Sequence, residues 1–309
     1  MRAPTGNQFT ISRSSGGSTF SATITEVAAS LREFTVDGMD LTENYPVDST
    51  PPFGSGIVLA PWPNRVEDGR WTLDGVVQQL DITEPDRHNA IHGLLRYSPY
   101  TVVEHTDDSV TLAATIFPQH GYTFLVDTTV RYQLVDGGIA VTHTAHNAGT
   151  TKAPVAFGTH PFLTIGDVPT SELSLTLNAA SRILVNERLN PTGKAAVEGT
   201  DYDLRAGLVL GDRFFDDAFG DVTMVDGVSR HILTAPDGRT LELWQDSSCG
   251  FVQVFTTQIF PKRNGTGTAV AIEPMTAPPN AFNSGDGLKW LAPGESWTVS
   301  WGLTYSGAV

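Results

Sequence analysis

The chain has few of the features that mark disulfide-stapled, membrane-spanning or nucleic-acid-binding proteins. One cysteine, Cys249, stands in 309 residues. No internal disulfide can form, so folding needs no oxidising compartment, and Cys249 reads as a buried structural thiol. No run of ~18 apolar residues occurs, so no membrane-spanning helix is expected. The opening MRAPTGNQFT lacks the apolar core, roughly 7–15 residues long, of a secretory signal. A cytoplasmic protein without a membrane partner is the expectation. Positive charge is also scarce, with 19 Lys plus Arg against 34 Asp plus Glu and a formal charge of -15. That field repels phosphate backbones and anionic headgroups, so no nucleic-acid partner is expected.

Long helices are missing too. Thirty glycines and 19 prolines interrupt most helical windows, and a proline inside a helix costs ~3 kcal/mol. Only short helical turns near 276–282 are expected. No His-Glu-x-x-His, Cys-x-x-Cys, calcium loop, dinucleotide fingerprint, phosphate loop or Gly-x-Ser-x-Gly elbow is present. His143 and His146 are three apart, and on a strand such residues face opposite ways. No metal and no cofactor are therefore expected.

What remains is strand and turn, repeated. β-branched and aromatic residues at 101–103, 110–116, 124–134 and 139–146 suit a pleated surface, and Asp136-Gly137-Gly138 joins the last two as a hairpin. Leu173-Ser-Leu-Thr-Leu177 alternates with period two, as a half-buried strand does. Further strands are expected at 231–234, 240–244, 252–257 and 296–303, with Asp237-Gly238 as a tight turn. Strands at this spacing without amphipathic helices predict an all-β fold of packed antiparallel sheets. No linker or repeat divides the chain, so one domain over 1–309 is expected, as monomer or homodimer.

Four turn-like segments concentrate the polar chemistry. Pro61-Trp62-Pro63-Asn64-Arg65 is stiff and offers donors in fixed directions. Asn89-Ala90-Ile91-His92-Gly93 sets a histidine beside a glycine that allows close approach. Phe157-Gly158-Thr159-His160-Pro161-Phe162 holds an imidazole in an apolar run, with the proline restricting its backbone. Glu273 ends the apolar run Thr-Ala-Val-Ala-Ile, where a carboxylate is costly unless partnered, and burial would raise its pKa toward a useful base range. Asp216-Asp217, among phenylalanines, is a fifth, weaker candidate. For Arg65, His92 and His160 a purely structural role is the competing reading.

Taken together these segments resemble the aldose 1-epimerases, also called galactose mutarotases, and most of all their bacterial single-domain subgroup. The resemblance spans about 20–303. It rests on Pro63-Asn64-Arg65, Asn89-Ala90-Ile91-His92-Gly93, Thr159-His160-Pro161-Phe162, Asp216-Asp217-Ala218-Phe219 and Ile272-Glu273-Pro274, with the late stretch 273–285 and Leu291-Ala-Pro-Gly-Glu295. It implies a large antiparallel β-sandwich with an open cleft on one sheet, and cofactor-free interconversion of α and β anomers of a free aldohexose. By the same resemblance Glu273 is the catalytic base and His160 the acid. His92 binds near the ring oxygen, and Arg65 and Asp216 hold hydroxyls beside Asn64, with Asp217 one position away from Asp216. The chain departs from the pattern after Gly93, where Leu94-Leu95-Arg96 follows, and at Trp62.

The chemistry calls for a carboxylate to take the C1 hydroxyl proton and an imidazolium to protonate the ring oxygen. Trp62, Trp71, Phe162 and Phe282 are candidates for stacking on a sugar face, while Trp244, Trp290 and Trp297 read as core. A hexose-6-phosphate 1-epimerase using Arg65, Arg70, Arg87 and Arg96 is the alternative within the same chemistry. A non-catalytic carbohydrate-binding protein and a carbohydrate lyase or hydrolase are the others.

Overall fold

The computed structural model describes residues 2–262 and 265–307. Its regular structure is almost entirely antiparallel strand, with one short α-helix among the described residues, Ala281–Ser284. The helical turn expected at 276–282 therefore begins later, after Asn280 turns the chain with φ 63°.

Two large sheets pack face to face. The first runs, in spatial order, through Thr101–His105, Ser109–Ile116, Val126–Val135, Gly138–Asn147, Ser296–Ser306, Thr240–Asp246, Val228–Thr234, Ser174–Leu177 and Leu208–Val209. The second runs through Pro191–Ala196, Ala179–Val185, Asp216–Val222, Phe251–Lys262, Gly265–Met275, Gly158–Thr159 and Val58–Leu59, with Phe162–Leu163 also paired to Gly265–Met275. A four-stranded sheet of Gln8–Ser15, Ser18–Thr25, Leu31–Val36 and Met39–Asp40 stands apart. The strand alternation in the sequence marked no part of this sheet in advance. Strands foreseen from periodicity recur with boundaries shifted by a few residues, because ladder bonds extend past the apolar stretch.

Alternation builds the core. On Gly265–Met275, Val270 and Ile272 point into the main core with Val252 and Val254 of the neighbouring strand. The intervening Ala269 and Ala271 face the other way, against Phe162 and Phe260. This outward face of the second sheet carries the cleft. His143 and His146 obey the same rule. His143 is buried, accepting from the Trp301 indole at 3.1 Å, while His146 lies at the surface beside Ser296.

The two tryptophans marked for sugar stacking are core residues, and of those marked as core only Trp297 packs against the main core. Trp62 and Trp71 are core residues, packed with Phe282 at ring distances of 5.3 and 4.9 Å. The Trp71 indole donates to the Gly121 carbonyl at 2.7 Å. Trp290 is exposed, and Trp244 and Trp297 are half-buried. Arg65 turns into the cavity while both indoles pack in the core, which composition alone did not distinguish. Cys249 is buried, and burial raises its thiol well above the ordinary value. No helix among the described residues is long and apolar enough to cross a membrane. Those residues also contain no group of three or more His, Cys, Asp or Glu able to hold a metal ion.

Candidate active site

Three neighbouring strands of the second sheet supply the floor of a cavity of about 130 Å³. Register sets Gln253 opposite Glu273, and Phe255 opposite Asp216. Side chains two apart on a strand share a face, so Gln253 and Phe255 project together beside Glu273. Asp217, one step on from Asp216, points away and pairs with Arg182 at 3.1 Å. Burial pushes the Asp217 carboxyl up, against the pull of that guanidinium. Of the two adjacent aspartates, Asp216 is the one lining the cavity.

His160 arrives from the end of Gly158–Thr159. Its backbone N–H donates to the Ile57 carbonyl at 3.1 Å, and its carbonyl accepts from Gly56 at 2.7 Å. The ring stacks on Phe162 at 5.3 Å and meets Phe255 edge-on. This leaves Nε2 3.3 Å from Glu273 Oε1.

Two turns form the opposite wall. Arg65–Glu67 pairs with Asn89–Ile91, and beyond this pair Asn64 and His92 both adopt left-handed φ, 55° and 63°. The His92 N–H donates to the Asn64 carbonyl at 2.9 Å, and the Asn64 N–H donates to His92 Nδ1 at 3.3 Å. Nδ1 is thereby an acceptor, which puts the proton of neutral His92 on Nε2. Gly93 explains the close docking, because a Cβ there would lie 2.1 Å from the Ala60 carbonyl oxygen. The late Pro-rich stretch belongs to the same wall. The Asn280 N–H donates to the Arg65 carbonyl at 2.6 Å, and its side chain accepts from the Glu67 N–H.

Charge in the cavity is held closely. Arg65 forks onto Glu84, with Nε to Oε2 at 2.9 Å and Nη2 to Oε1 at 3.0 Å, and reaches Asp216 at 3.5 Å. Burial alone would lower the Arg65 pKa, but Glu84 and Asp216 outweigh it and hold the guanidinium charged. Gln253 donates to Asp216 at 2.8 Å. Glu273 is 1% exposed, and its Oε2 has no hydrogen-bond partner. Burial, reinforced by Asp216 and opposed by Arg65, raises its carboxyl well above the ordinary value. Burial also lowers His160 to about 4, with Arg65 adding to the effect. His92 is driven well down by burial and by the cationic groups around it.

Glu273 and His160 thus titrate as a pair. Desolvation disfavours charge on both, pushing the Glu273 carboxyl up and the His160 imidazole down.

All six residues singled out in the sequence, Asn64, Arg65, His92, His160, Asp216 and Glu273, line this one cavity. Gln253, Ile91, Phe53 and Phe255 line it too, and Glu84 stands behind Arg65. Ile91 belongs to the Asn89–Gly93 segment marked in the sequence, whereas the other four carried no sequence signal. Gln253 and Phe255 are two and four residues along an ordinary strand, and only the register with Glu273 reveals them. The stacking candidates do not reach the cavity lining. Trp62, Trp71 and Phe282 lie in the main core, and Phe162 is buried behind His160. Arg96 donates to the Thr83 carbonyl and lies over Tyr97, outside the lining.

The chain is similar to known proteins along nearly its whole length. The family model for aldose 1-epimerase matches residues 11–304. The uncharacterised protein YihR of Escherichia coli K12 is 33% identical over 277 residues, covering 89% of this chain and 87% of its own. Galactose mutarotase of Mus musculus is 29% identical over 171 residues, 52% of this chain and 48% of the mouse protein. Among solved structures, the GalM/aldose epimerase homologue of C. elegans superposes with a TM-score of 0.83 at 18% identity, over 98% of this chain and 99% of that one. Galactose 1-epimerase from Lactobacillus acidophilus NCFM superposes at 0.78 and 17% identity, over 97% and 98%. An all-β antiparallel sandwich of the galactose mutarotase type, with an open cleft on one sheet, matched along nearly its whole length by one family model: the chain belongs to the aldose 1-epimerase family.

Proposed function

We infer that the protein is a cofactor-independent aldose 1-epimerase acting on a free monosaccharide. The observation that carries this reading is the contact of Glu273 with His160 at 3.3 Å in one buried cavity. The two oxygens of a hemiacetal share one carbon, so their proton acceptor and proton donor must stand side by side. Glu273 takes the proton of the C1 hydroxyl while His160 delivers one to the ring oxygen, and the C1–O5 bond breaks to give an aldehyde. Rotation about C1–C2 presents the other face. On closure His160 removes the proton from the C5 hydroxyl and Glu273 returns one to the former carbonyl oxygen. Substrate hydroxyls that displace water and donate to Glu273 favour the ionised form of the pair. Positioned proton transfer contributes ~10²–10⁴-fold per group. Neutral His92, with Nε2 as its donor, suits the ring oxygen, where charge develops. Asn64, Arg65 and Asp216 are suited to the remaining hydroxyls.

The charge pattern supports a neutral sugar over a hexose 6-phosphate. Among the described residues Arg65 is the one arginine in the cavity lining, and Glu84 and Asp216 already balance it. Arg87 is turned to Glu84 and Arg70 to Gln79. Polarimetry of freshly dissolved galactose, glucose and xylose against glucose 6-phosphate tests the assignment. Accelerated mutarotation of a free aldose is expected. Acceleration of the phosphate ester alone would replace the reading by the phosphate-specific one, and no acceleration of any of the four would remove it.

A further inference from the structure

Of the residues that line the cavity, Phe53 alone is exposed, the others being buried or half-buried. Phe53 is 41% exposed, although it is a large apolar side chain at the mouth of the site. Its backbone sits at φ 52°, a left-handed conformation that is an outlier for a bulky residue. Such conformations persist only where the surroundings impose them, and they cluster at ligand-binding segments.

The surroundings here are specific. Phe53 follows Pro51 and Pro52 and precedes Gly54, itself at φ 74°. Three residues on, the chain is bound to both sides of the His160 peptide, through Gly56 N–H to the His160 carbonyl and His160 N–H to the Ile57 carbonyl. Gly54 itself passes close to the imidazole, since a Cβ on it would lie 4.0 Å from His160 Cδ2. The phenyl ring rests on Phe255 and Phe260 at 6.2 Å and on Phe162 at 6.5 Å. Phe162 and Phe255 are the rings that hold His160. One edge of the Phe53 ring is therefore fixed to the frame of the acid–base pair, while the rest of it stays open.

We propose that Phe53 is the apolar platform of this site, on which a pyranose seated at Glu273 and His160 lays a face of C–H groups. The inference rests on the sugar reading above and names the residue that recognises the non-polar side of that substrate. A pyranose offers hydroxyls around its rim and C–H groups on its faces. The rim meets Asn64, Arg65, Asp216 and Gln253, and one face then requires an aromatic plane. The four aromatic residues marked for that task in the sequence are buried away from the lining, and Phe53 supplies the exposed surface they do not.

The test uses the full chain with galactose and glucose, in Phe53→Ala, Phe53→Gly and Phe53→Tyr. Loss of the ring is expected to raise KM about tenfold, equivalent to about 1.4 kcal/mol, with kcat changed less than about twofold. Phe53→Tyr keeps a ring and is expected to keep the KM of the unaltered protein. Glycine accepts the left-handed backbone that alanine resists, so F53G should melt at a higher temperature than F53A while sharing its raised KM. Saturation-transfer NMR should show contact from aromatic protons to sugar C–H protons, lost in both small variants. Unchanged KM in F53A, or a KM that follows melting temperature across the series, overturns the platform and leaves the epimerase reading standing. An unaltered protein that neither binds nor epimerises either sugar overturns the epimerase reading, and the platform falls with it.

Discussion

Replacing Glu273 by Gln should cost activity and return stability, and the second effect should depend on pH. The side chain is 1% exposed, its Oε2 has no hydrogen-bond partner, and burial raises its pKa well above 4.5. Between 4.5 and that raised value the folded protein keeps a proton that the unfolded chain has released. Stability therefore falls as pH rises through this window, by up to about 1.4 kcal/mol per pH unit. Glutamine cannot ionise, so E273Q escapes the loss. Its advantage over the unaltered protein should be small near about pH 4.5 and should widen toward neutrality, levelling off once the buried carboxyl ionises. In the same variant kcat/KM should fall ~10²–10⁴-fold, the contribution of a positioned base. Paired urea titrations across the acid-to-neutral range, with polarimetric rates on the same samples, read both quantities. Activity within about tenfold of the unaltered protein would place the base elsewhere. A stability difference that does not change with pH, or that shrinks as pH rises, would refute the account of a desolvated carboxyl.

Four further outcomes follow from the site and its surroundings. Burial holds His160 at about 4, so the acid limb of kcat/KM should lie near there and well below the ordinary histidine value of 6.5; a limb at 6.5 would contradict a buried neutral imidazole. His143 at about 3 and His231 at about 4 share the direction of shift. In all three the unfolded chain binds protons that the folded one excludes, so stability is present above 6.5 and is lost as pH falls toward these values, as acid titration of unfolding will show. Asp216→Asn should raise KM, whereas Asp217→Asn, on the far face with Arg182, should leave KM unchanged; equal effects on KM would show that both aspartates serve the sugar. Gly93→Ala places a Cβ 2.1 Å from the Ala60 oxygen at a φ of 74°. It should cost about 1–3 kcal/mol from backbone strain alone and lower kcat/KM by displacing His92, measurable by melting and polarimetry together.

Fold class was legible in the sequence because it depends on local chemistry, and the six residues marked there, with the help of a family resemblance, line one cavity. Period-two alternation, turn residues and the scarcity of helix-compatible windows dictate strands wherever they fall. A carboxylate ending an apolar run, and histidines beside Gly and Pro, are conspicuous because burial of such groups is costly. Sequence alone did not determine which aromatic rings face the ligand, which residue clamps Arg65, or where the proton of the Glu273–His160 pair resides. Trp62 and Trp71 looked fit for stacking, but both pack against Phe282 in the core. Glu84 and Gln253 become visible only when strand register and the Arg65 hairpin bring them beside their partners. The direction in which burial moves each member of that pair was set by the tertiary structure for the same reason. Desolvation and Coulomb interactions depend on distances through space, and those are set by chain segments more than a hundred residues apart.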